Sequence, residues 1–75
     1  MTATLTPEQV FADHRQDVFR LARRLTGDPA LAEDIAQDVF VGVILALPTF
    51  RCDAHLTTWL YRITMRVAGR HLARR

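Results

Sequence analysis

This sequence has no lysine and no serine, and its single cysteine is Cys52. Without serine there is no Ser nucleophile, and no other residue pair presents a nucleophile beside its base, so no enzyme is expected. One thiol cannot close an intrachain disulfide, and a free one is compatible with a reducing cytosol. His14, His55 and His71 lie far apart without metal-ligand spacing. With one cysteine to help them, no zinc or other metal site is expected. A glycine-rich phosphate loop is missing too, and nothing calls for a cofactor. No apolar run approaches the ~18 residues of a transmembrane helix. The opening MTATLTPEQ has neither the basic nor the apolar region of a signal peptide. A cytoplasmic protein with no membrane partner is the expectation.

What remains is a chain of 75 residues, 49% hydrophobic and 24% charged. That is one small globular domain, marginal unless its elements pack well. Its net charge is only +2, but residues 1–50 carry −3 and residues 51–75 carry +5. Such polarity suits two partners of opposite character, an anion towards the C-terminal end and something basic near the middle. Ordinary charge scatter is the plain alternative.

Hydrophobic spacing and capping residues predict an all-α fold of three main helices. Thr6-Pro7-Glu8-Gln9 reads as N-cap, first-turn proline and capping-box glutamine. Val10, His14, Val18, Leu21 and Leu25 then mark one buried face, and Gly27 ends the helix. Asp28-Pro29 starts a second helix with Leu31, Ile35, Val39, Val43 and Ala46 inward, ending at Pro48. Its half VFVGVILAL is apolar nearly all round, and a strand is the competing reading. Residues 48–53, PTFRCD, form a loop. A third helix runs from about Ala54 to the low seventies, capped by Asp53, with Leu56, Leu60, Ile63, Val67 and Leu72 inward.

Two faces and one loop carry candidate chemistry. Asp34, Gln37, Asp38 and Val41 share a face of helix two, with Glu33 beside them and Leu45 continuing it. A surface grading from acids to aliphatics has the polar rim and apolar centre of a docking face. Alternatively the acids only favour the helix dipole, and Val41 and Leu45 are buried. On helix three, Arg62, Arg66, Arg70 and Arg74 recur every four residues with almost nothing acidic nearby. They are either a solvated face or a phosphate ladder, whose binding would fall with salt at a log–log slope of roughly −2 to −3. Trp59 reads as core with at most an exposed edge, and Tyr61 as amphipathic surface. Phe50 is either a plug over the core or a stacking platform.

The motifs GDPALAEDIAQDVF and LPTFRCDAHLTTWLYRI together resemble the region-2 domain of the extracytoplasmic-function (ECF) sigma factors, over about Val18 to Arg75. The resemblance implies a bacterial transcription-initiation domain with a recognition loop between helices two and three. Such a domain binds the β′ clamp helices of RNA polymerase core. It also captures the non-template single strand of the promoter minus-ten element as it melts. By position, Asp34, Gln37, Asp38 and Val41 would meet polymerase. Phe50, Arg51, Cys52, Asp53, Ala54 and His55 would form the base-capturing loop, followed by Thr58, Trp59, Arg62, Arg66 and Arg70 along the strand. An anti-sigma factor is a further expected partner, on the VFVGVILAL surface.

The chain departs from the family pattern at several places. Cys52 stands where relatives usually have glycine, and Arg66 where an asparagine helps select the base, so base preference does not carry over. Gly42 and Leu45 replace positions that are often basic. The second, minus-thirty-five-binding domain is absent from residues 1–75, as in an excised domain or a truncated product. Two rivals remain: a helix-turn-helix reader of duplex DNA, and a helical module that binds only proteins.

Overall fold

Each end of the first helix is held by the residues that the sequence places there. In the computed structural model, which describes residues 5–50 and 55–74, α1 spans Pro7–Thr26. The Thr6 hydroxyl accepts from the Gln9 N–H at 3.1 Å, and the Gln9 side-chain oxygen accepts from the Thr6 N–H at 3.3 Å. This reciprocal pair satisfies two donors that the first turn leaves orphaned. At the other end Gly27 turns left-handed, φ 68°, and its N–H donates to the Arg23 carbonyl. The Asp28 carboxylate then accepts from the N–H groups of Ala30 and Leu31 and opens α2, Pro29–Ala46.

Past Ala46 the chain does not enter an open loop at once. Leu47–Thr49 tighten into a single 3-10 turn that includes Pro48, and Phe50 follows in extended backbone. Its N–H donates to the Leu47 carbonyl. Tightening the last turn is a common way to satisfy terminal carbonyls. The third helix, α3, spans Leu56–Ala73 and so starts later than Ala54. His55 holds the N-cap position without a side-chain cap bond. The cap expected at Asp53 lies outside the described residues, as do Arg51, Cys52 and Ala54. The run VFVGVILAL is helical throughout, and no strand occurs among the described residues.

α2 is the central element, packed against both α1 and α3. Ile35, Val39 and Val43 on α2 meet Val10, Val18 and Ala22 on α1 and Leu60, Ile63, Val67 and Ala68 on α3. Ala22, Ala32 and Ala36 are all buried, so small side chains let α1 and α2 approach closely. That close crossing corrects the α1 stripe: Ala22 takes the inner place, while Leu25 is 36% exposed. Leu21 and His14 are only half-buried. Gly42 serves the other interface, where an added Cβ would stand 3.3 Å from the Ile63 side chain. Buried Thr64 donates its hydroxyl to the Leu60 carbonyl at 2.9 Å, so it leaves no polar atom unsatisfied.

Candidate functional site

The start of α3 brings two aromatic residues together. Phe50, at the end of the 3-10 turn, lies with its ring centroid 4.9 Å from that of Trp59 at a tilt of 48°. Both are half-buried, and Trp59 packs against the core. Phe50 thus covers part of Trp59 while remaining partly in solvent itself. Tilted pairs of this kind contribute about 0.5–1.5 kcal/mol beyond burial.

From this pair a basic surface runs down α3. Thr58, Arg62, Arg66, Arg70 and Arg74 follow one another at intervals of four residues, and all are exposed. Among the described residues none of these four arginines has an ion-pair partner. α3 itself contains no acid. Tyr61, 53% exposed, lines a separate depression of about 180 Å³ together with His14 and Leu21 of α1. His55, expected in the loop, is exposed at the head of the helix.

The α2 face is equally open. Asp34, Gln37 and Asp38 are exposed, and beyond them Val41 is 51% and Leu45 75% exposed. Burial of the two aliphatic residues beneath a neighbouring helix is thereby excluded. Ile44 widens the apolar end of this face. One member of the acidic group has a tertiary partner: Asp38 Oδ2 lies 2.6 Å from His71 Nε2, in the last turn of α3. Nothing in the sequence pairs these residues, because only the packing of α3 on α2 brings them together.

Beside Gln37 an open groove of about 830 Å³ runs between α1 and α2. Phe11, Arg15, Phe19 and Arg23 form its α1 wall, with Glu33 and Gln37 opposite. Arg20 and Arg24 add charge to the same rim, and Phe11 packs on Phe40 with ring centroids 4.6 Å apart. The spacing of four in Phe11, Arg15, Phe19 and Arg23 was the available sequence signal for this wall. It is easily masked by the core stripe that shares the helix. Among the described residues no cluster of three or more potential metal ligands occurs, and no helix is long and apolar enough to cross a membrane.

A family model described as Sigma-70 region 2 matches residues 10–75. The chain belongs to the sigma-70 region 2 family. Over 62 residues it is 37% identical to the RNA polymerase sigma-H factor of Pseudomonas aeruginosa, covering 83% of this chain and 32% of that protein. It is 33% identical over 60 residues to the ECF RNA polymerase sigma factor SigW of Bacillus subtilis, covering 75% and 32% respectively. The ECF RNA polymerase sigma factor SigM of Mycobacterium tuberculosis is 33% identical over 58 residues, covering 77% of this chain and 30% of the relative. The chain thus spans about a third of the length of these relatives. No solved structure matches it. For this region 2 domain, the family match starts at Val10, so α1 and its groove wall belong to the shared unit as well as the two motifs further on.

Proposed function

We propose that this domain acts in bacterial transcription initiation through two contacts. α2 docks on the β′ clamp helices of RNA polymerase core, and α3 with the segment before it captures the non-template strand of the minus-ten element as it melts. The observation that carries the reading is the surface of α3: an acid-free helix with four exposed arginines that have no ion-pair partner among the described residues, headed by the Phe50–Trp59 pair. Aromatic faces shelter unstacked bases and arginines neutralise phosphates, so such a surface favours a single strand over a stacked duplex. Binding only the open form offsets the few kcal/mol that extruding a base costs. No hydrolysis is required of the domain.

For the polymerase contact, Asp34, Gln37 and Asp38 offer acceptors to a basic partner, and Val41, Ile44 and Leu45 offer it an apolar seat. The α1–α2 groove next to Gln37 extends this seat with a basic wall, suited to acids on the same partner. An anti-sigma factor covering the aliphatic end would compete for the seat. Helix-turn-helix readers of duplex DNA use a turn of about 3–4 residues. Here the described α2 ends at Ala46 and α3 begins at Leu56, an interval longer than that turn, which argues against this rival.

Trp59, the only tryptophan, supplies a direct readout. Its fluorescence should change on adding a single-stranded minus-ten oligonucleotide and change far less with the same sequence as duplex. Equal or stronger duplex binding, with no affinity for purified β′ clamp helices, would sink the proposal. Asp38→Arg should abolish clamp binding while the circular dichroism spectrum stays helical. Unaltered clamp affinity in that variant would remove α2 from the docking role.

A further inference from the structure

A short hydrogen bond joins positions far apart in the chain, His71 Nε2 and Asp38 Oδ2 at 2.6 Å. A carboxylate oxygen only accepts, so Nε2 carries the hydrogen and donates it. The partners differ in setting. The His71 side chain is 16% exposed in the last turn of α3, while that of Asp38 is 53% exposed at mid-length of α2. A largely buried donor therefore holds a carboxylate that would otherwise turn freely in water. Only Oδ2 is engaged, and among the described residues Oδ1 has no partner. It is left for a donor arriving from outside.

We propose that His71 is a positioning residue for the docking face: it fixes the Asp38 carboxylate with one oxygen ready for the incoming partner. The inference rests on the clamp-docking role of Asp38. A single half-exposed hydrogen bond contributes little net stability. Its effect here lies in binding, because a side chain already ordered loses less freedom when the partner arrives. Asp38 stands between Gln37 and Val41 in the acid-to-aliphatic gradient, so its orientation sets how the polar and apolar parts of a partner align. The same bond ties the last turn of the strand-binding helix to the docking face.

The test measures affinity for purified β′ clamp helices with the full chain and a set of variants. His71→Leu keeps apolar volume and removes the donor; His71→Gln places an amide N–H near the Nε2 position. His71→Leu should weaken binding about two- to tenfold, the range expected from one side chain losing its preorganisation. His71→Gln should restore most of that loss. In an Asp38→Ala background, His71→Leu should have no further effect. Two results overturn the inference: wild-type affinity in His71→Leu while Asp38→Ala binds weakly, or the same loss from His71→Leu with and without Asp38. If Asp38→Ala itself binds as tightly as wild type, the docking role fails and the positioning role falls with it. Circular dichroism at the assay temperature checks folding. Should His71→Leu unfold, His71→Asn replaces it, since its shorter amide reaches only the Nδ1 position.

Discussion

At Gly27 the backbone turns through φ 68° in order to leave α1 and reach the Asp28 cap within one residue. A Cβ added there would meet nothing within 4 Å, so crowding plays no part in the requirement. Left-handed backbone costs an L side chain about 1–2 kcal/mol. Gly27→Ala should therefore destabilise the domain by about that amount with little change in structure, since the site is open. Thermal unfolding measures it, with each kcal/mol lowering the midpoint by about 4–8 °C in a domain this small. Gly42 is glycine for a different reason. Its φ is ordinary, but Ile63 packs against it, so the smallness of the side chain rather than the freedom of the backbone is used there.

Among the helices, α1 and the start of α2 were legible because their signals are local. Thr6 with Gln9, Gly27, and Asp28 with Pro29 each act within four residues of themselves, and every one takes the predicted role. The start of α3 was less legible. His55 occupies the cap position without the side-chain bond that makes caps recognisable. The inner face of α1 was also misjudged, since close helix approach selects Ala22 over the larger Leu25. Periodicity alone does not reveal such a crossing distance. Among the described residues the arginines of α3 have no ion-pair partner, so each that meets a phosphate should act independently. Arg66→Ala should weaken single-strand binding and flatten the salt slope by about 0.7, the single-strand value per phosphate contact. Affinities at several salt concentrations check this, and an unchanged slope would place Arg66 off the strand.

For the molecule as a whole, the two faces proposed for docking and strand binding are not independent grafts, because α2 carries the first and is also the middle of the core. The α3 stripe and the exposed α2 acids could be read from spacing. The α1–α2 groove and the Asp38–His71 bond could not, since both exist only once helices pack. That packing is thin. A stability of about 0.05–0.15 kcal/mol per residue gives a chain of 75 residues only about 4–11 kcal/mol. Ile35 is fully buried at the centre of α2, between α1 and α3. Truncating a buried isoleucine to alanine costs about 2–5 kcal/mol, through lost transfer energy and the cavity left behind. Ile35→Ala should thus remove a large share of the total and shift the urea midpoint far towards zero. Because partners that bind only the folded state add stability by mass action, saturating single-stranded minus-ten oligonucleotide should move that midpoint back up. The same concentration of duplex should move it much less. A midpoint indifferent to both nucleic acids would mean that the folded domain holds neither, whatever charge α3 presents.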